Sequence, residues 1–124
     1  MCKEIKIYTM QLAKWRKAKE LNIPILDITA KSGISAFAPD FVVVIDYKNK
    51  MIDEFRYTDI YLKKMRNSFA TDKDQWLKLL DYDSVALACY CPANTFCHRH
   101  IFAKLFEKYL NSEKYTPIQM GELI

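Results

Sequence analysis

The sequence predicts a single α/β domain: a three-layer, Rossmann-like unit with a small, mainly parallel sheet flanked by helices. Three observations carry this. Short apolar, β-branched runs alternate with longer segments of helical periodicity, the pattern of strands joined by crossover helices. The chain has 124 residues, 51% of them hydrophobic, which suits one core spanning residues 1–124 and leaves no room for two. The most apolar run, Val85 to Tyr90, is nearly unbroken, as in a strand covered on both faces.

The elements follow in order. Glu4 to Thr9 alternates Ile5 and Ile7 with polar residues and reads as a first strand. Thr9 then caps a helix from Met10 to Leu21, with Leu12, Trp15, Ala18 and Leu21 as its buried stripe and Asn22 and Pro24 ending it. Ile25 to Thr29 is a second strand carrying an acid, Asp27, that needs a partner if buried. Val42 to Ile45 has the composition of a strand, but Pro39-Asp40 before it is a helix start, and helix is favoured over Phe41 to Lys48. Asp53 to Ser68 is a helix with Tyr57, Tyr61 and Met65 one turn apart. Asp72 to Leu80 is another, capped by Thr71 or Asp72, with Trp76, Leu79 and Leu80 inward. Val85 to Tyr90 is the central strand. A last helix starts near Phe96, and Tyr115 to Met120 adds an edge strand, since Pro117 argues against a central place.

Composition excludes several functions. Only two glycines occur, Gly33 and Gly121, so no GxGxxG or Walker loop can form. No run of about 18 apolar residues exists, and no membrane association is expected. The N-terminus lacks an apolar leader, which points to the cytoplasm and to free thiols rather than disulfides. A formal net charge of +4, with scattered lysines, fits a small anionic ligand. Nucleic acid is not expected, because there is no arginine-rich arm or aromatic–basic repeat.

Three of the four cysteines and both histidines lie between Val85 and His100. In an open parallel sheet, ligands bind beyond the carboxyl ends of the strands. Three loops leave such ends: at Thr9, at Lys31-Ser32-Gly33, and from Cys91 to Cys97. Three chemistries suit them. The first is an anion pocket, in which Arg99 forks onto a phosphate beside a helix N-terminus, with Asn94 and Thr95 capping or donating. The spacing of a phosphatase loop is missing, because Cys91 lies eight positions before Arg99 and Cys97 two. The second is thiol chemistry, with Cys97 activated at a helix N-terminus beside His98 and Cys91 as a resolving partner. The third is zinc, on Cys89, Cys91, Cys97 and His98 or His100. It is the least favoured, because a helix of about 3.6 residues per turn sends His98 inward and His100 to the opposite face.

The run ACYCPANTFCHRHIFAKL resembles domain-of-unknown-function family 488, in the phage and bacterial subgroup that carries FCHRH. The likeness extends to YTMQLAKWRKA from Tyr8, DITAKSG from Asp27, FAP from Phe37, YTDIYLKKMRNS from Tyr57, and Trp76. It implies a small α/β domain with a Rossmann-like core and supplies no reaction. The matching positions are Tyr8, Arg16, Asp27, Lys31, Ser32, Gly33, Pro39, Tyr57, Tyr61, Cys89, Cys97, His98 and Arg99.

The expected function is binding of a phosphorylated or nucleotide-like small molecule, with cysteine chemistry open. Lys31, Ser32 and Arg99 lead the anion ligands, with Thr9, Gly33, Asn94, Thr95 and His98 around them. Cys97 is the nucleophile, and Asp27, Tyr57 and Tyr61 orient or exchange protons. Two other classes stay open: a phage-type protein that sequesters a ligand or binds a partner in counter-defence without catalysis, and a zinc-stabilised domain. No resident cofactor is expected, and the oligomeric state is unread.

Overall fold

The computed structural model describes residues 3–92, 95–111 and 114–124. Four parallel strands form one sheet in the order β2-β3-β1-β4. They are β1 (Lys3–Gln11), β2 (Ile25–Asp27), β3 (Ser84–Cys89) and β4 (Tyr115–Leu123). Five helices connect and cover them: α1 (Trp15–Glu20), α2 (Phe41–Lys48), α3 (Glu54–Thr71), α4 (Lys73–Lys78) and α5 (His98–Leu110). Among the described residues, no helix is long and apolar enough to cross a membrane.

The three layers follow from strand alternation. Val85 and Leu87 of β3, with Ile5 and Ile7 of β1, point to one face and pack with Tyr57, Tyr61 and Met65 of α3, Trp76 of α4 and Phe102 and Phe106 of α5. Ala86 and Ala88 point the other way, with Met10, and meet Ala18 of α1. The small side chains of β3 on that second face let the short helix lie close.

The N-terminal helix differs from expectation. Met10 and Gln11 stay in β1, paired with Ala88 and Cys89, so Thr9 is a strand residue and no cap. A 3-10 turn over Leu12–Lys14 follows, and α1 has only six residues. Less than two turns cannot aim four side chains at the sheet. Ala18 alone is buried, while Trp15 and Leu21 are 43% and 50% exposed. The helix reading of Phe41 to Lys48 is correct, with Asp40 as N-cap and Pro39 before it rather than in the first turn.

α3 behaves as its spacing predicts. The Asp53 side chain accepts from Arg56 N at 2.8 Å as an N-cap. Tyr57, Tyr61, Met65 and Ser68 face inward. Neither Thr71 nor Asp72 caps α4 through its side chain: Thr71 Oγ1 bonds Asn67 O, and Asp72 makes no cap bond. β4 is an edge strand, as Pro117 implies. Its register against β1 shifts between Ile7 and Tyr8, where Gly121 takes φ +85°, a value suited to glycine at a bulge. The shift sets Glu122 opposite Thr9.

Ser68 ties α3 to its neighbours, donating to Ala36 O at 2.6 Å and accepting from Trp76 Nε1 at 3.0 Å. Ser68→Ala leaves both of those buried groups unpaired. It should cost about 2 kcal/mol in urea unfolding, whereas a loss within error would show that the Ser68 bonds do not matter.

Candidate functional site

Three segments meet beyond the carboxyl ends of β2 and β3. They are the loop after β2, the chain leaving β3, and the start of α5. Around them lies a cavity of about 620 Å³, within the range of small-molecule sites.

The loop after β2 is closed by its own hydrogen bonds. Asp27 Oδ1 accepts from Thr29 N at 2.9 Å, and Asp27 Oδ2 from Ser32 Oγ at 2.8 Å. Thr29 Oγ1 accepts from Ser32 N at 3.1 Å, and Gly33 N donates to Thr29 O at 3.0 Å. Glycine is required at 33 because a Cβ there would lie 2.4 Å from Thr29 N and 2.5 Å from Thr29 O. Ser32 and Gly33 therefore use their backbone donors inside the loop, which corrects their expected part in anion binding. Asp27 braces the same loop instead of taking a catalytic place. Lys31 does face the cavity, with Nζ 5.2 Å from the centroid of Phe41.

The chain leaving β3 carries Cys89 and Cys91 on one face, and Cys97 is the N-cap of α5, without a side-chain cap bond. All three line the cavity, and their sulfur atoms lie within 4.8 Å of one another. Cys89 and Cys97 are buried, while Cys91 is half-buried. Cys91 accepts hydrogen bonds from Cys89 and Cys97 and feels the positive charge of Arg99, so its pKa is drawn down to about 2. Cys97 is pushed far up by its neighbours Cys89 and Cys91 and by burial. The hydrogen bond to Cys91 also raises Cys89. These directions favour Cys91 over Cys97 as the charged sulfur of the trio, whereas Cys97 is the thiol expected from the sequence.

Arg99 is fully buried. Its five N–H donors are all engaged. Nε and Nη2 donate to Glu122 Oε1 and Oε2 at 3.2 and 2.7 Å. Nη1 donates to Cys89 Sγ at 2.8 Å and Cys91 O at 2.9 Å, and Nη2 also to Pro92 O at 3.3 Å. Arg99 is therefore a brace for the sulfur trio and no ligand for an incoming anion, which corrects its expected role. Thr9 belongs to this brace, since its Oγ1 donates to Glu122 Oε1 at 2.6 Å. Glu122 was not singled out from the sequence. Its only signal is an acid on an edge strand.

His98 is buried, and desolvation lowers its pKa to about 4, so it is neutral. Nε2 faces the carbonyl of Ile28, which can only accept. The proton therefore sits on Nε2, and Nδ1 turns its lone pair toward Cys97 Sγ, 3.6 Å away. His100 is half-buried and lines a separate groove between α3 and α5 with Lys104 and Thr58.

The remaining expected residues divide. Tyr61 is engaged, with its hydroxyl donating to Phe37 O at 2.6 Å in the core. Tyr57 is buried on the cavity wall, and its hydroxyl bonds no described residue. Burial raises its pKa, so it stays protonated. Thr95 lines the cavity and bonds Pro92 O at 2.6 Å, closing the turn before α5. Asn94 lies outside the described residues. Unforeseen are Phe41, Tyr47, Tyr90 and Phe96 in the wall, together with Lys48. Tyr47, Tyr57 and Phe96 stand mutually 5.1 to 5.5 Å apart, centroid to centroid.

Glu122→Ala strands a buried guanidinium and should lower stability by about 3 kcal/mol. The carboxyl of Glu122 is partly buried, which alone would raise its pKa, but hydrogen bonds from Arg99 and Thr9 hold it below the usual value. Its contribution is thus present above the ordinary carboxylate range and lost as pH falls through its lowered value. In denaturant titrations between about pH 6 and pH 3, wild type should lose more stability than Glu122→Gln. Equal losses would contradict the pairing.

No curated protein and no solved structure matches the chain. A family model, DUF488-N3a, described as the active DUF488-N3 subclade, matches residues 27–110. That span begins at Asp27, the last residue of β2, and holds the rest of the closed loop, the whole cavity wall and the sulfur trio with Arg99. The chain belongs to the DUF488 family.

Proposed function

We propose that the cavity beyond β2 and β3 takes a nucleotide-like small molecule, its ring among the aromatic side chains and its phosphate on the lysines, with the Cys91 thiolate as the reactive group it meets. One observation carries this reading: an aromatic wall and two cations, Lys31 and Lys48, enclose the same space as the most accessible of the three sulfurs. Aromatic faces stack on planar rings at about 1–3 kcal/mol per base. Lys31 and Lys48 supply point charges for a phosphate. The Tyr57 hydroxyl adds an uncommitted donor on the wall.

A thermal-shift screen with nucleotides, NAD-type compounds and phosphosugars tests this, since a binder raises the melting temperature by mass action. A nucleotide-class compound should raise it in wild type, and Lys31→Ala and Phe96→Ala should each remove most of that rise. Cys91→Ala should keep the shift while losing any turnover of the same compound. No shift in wild type, or an undiminished shift in both wall variants, would contradict the reading.

A further inference from the structure

Cys89, Cys91 and Cys97 are brought together where β3 ends and α5 begins. Cys89 is the last residue of β3 and pairs with Gln11. Cys97 opens α5. Arg99 holds the two residues that follow Tyr90, through Cys91 O and Pro92 O. We propose that these three sulfurs form a binding site for a thiophilic divalent cation, zinc in physiological form, with its fourth corner turned to the cavity.

Distance supports it. A zinc–thiolate bond of about 2.3 Å sets neighbouring sulfurs about 3.8 Å apart in a tetrahedron. The three atoms already lie within 4.8 Å of one another, so loading needs a closure of at most about 1 Å. Donor chemistry supports it too. An all-sulfur set selects soft cations and rejects magnesium and calcium, which need oxygen. Arg99 Nη1 donates to Cys89 Sγ at 2.8 Å, the kind of outer contact that fixes a ligating thiolate. Charge agrees, because three thiolates and one divalent cation sum to −1, and the guanidinium stands against them. All three cysteines line the cavity, so the remaining coordination position is reached from there.

The metal-bound trio and a free Cys91 nucleophile exclude each other. Zinc loading is therefore a resting form in which the thiol does not react. The metal site itself follows from the sulfurs alone, while its silencing of Cys91 rests on the reactive thiolate proposed above.

The test uses the full chain, stripped by chelator, kept reduced and titrated with zinc against a chromophoric chelator. Wild type should take one equivalent. Cys91→Ser and Cys97→Ser should each bind at least about 100-fold more weakly, while Cys2→Ser and His100→Ala bind as wild type. Cobalt should give a thiolate charge-transfer band in wild type that Cys91→Ser abolishes. Zinc should also block alkylation of Cys91, and chelator should restore it. Cys97 is buried, so if Cys97→Ser fails to unfold cooperatively, the half-exposed Cys91→Ser decides. Reduced wild type holding less than about a tenth of an equivalent, or Cys91→Ser retaining full affinity, would overturn the proposal. A nucleotide shift that survives in such zinc-free protein would leave the cavity reading standing.

Discussion

The buried guanidinium of Arg99 is the interaction on which the rest of this structure depends. A fully buried cation is tolerated only when it is paired and its donors are satisfied. Here the satisfaction comes from three places at once: the Glu122 carboxylate of β4, the Cys89 sulfur at the end of β3, and two carbonyls of the segment leading to α5. The cation thus joins the edge strand, the central strand and the helix start. It also sets a positive charge beside the sulfur trio, where thiolates would otherwise repel one another. The bulge at Gly121 is part of the same arrangement, because it brings Glu122 into line with Thr9 and within reach of Arg99.

The site that results is asymmetric. Below lie Arg99, Glu122, Thr9 and His98, all engaged with protein partners. Above lie Lys31, Lys48, Tyr57 and the aromatic wall, facing space. Cys91 stands at the boundary. The tight loop from Asp27 to Gly33 keeps that boundary in place: its polar groups bond each other, and Tyr90 reaches Ser32 Oγ at 3.1 Å. Groups that first look like ligand hooks therefore act as scaffold, and the groups left for a ligand are the less conspicuous ones.

Much of the fold was legible because its signals are local. The apolar run of β3, the Tyr57-Tyr61-Met65 spacing and the proline on the edge strand each state their own environment. What failed was non-local. Met10 and Gln11 read as helix because their strand partners, Ala88, Cys89 and Leu123, lie far along the chain. Arg99 read as an anion hook because Glu122 is 23 residues downstream and meets it only through a bulge. Divergent histidines argued correctly that His98 and His100 cannot share an ion. They said nothing about the sulfurs, which converge because Cys97 starts α5 beside the end of β3. The aromatic wall was hidden for a similar reason, since Phe41 and Tyr47 come from α2 and Tyr57 from α3, and only packing brings them to Phe96.

The most direct measurement is residue-resolved alkylation of the native, metal-free protein by iodoacetamide near neutral pH, read by mass spectrometry. Thiolates react and thiols do not, so the account predicts that Cys91 labels at least about tenfold faster than Cys89 or Cys97. It further predicts that this preference collapses in Glu122→Gln, where Arg99 loses its anchor. Labelling that begins at Cys97, or equal rates at all three cysteines in wild type, would contradict it.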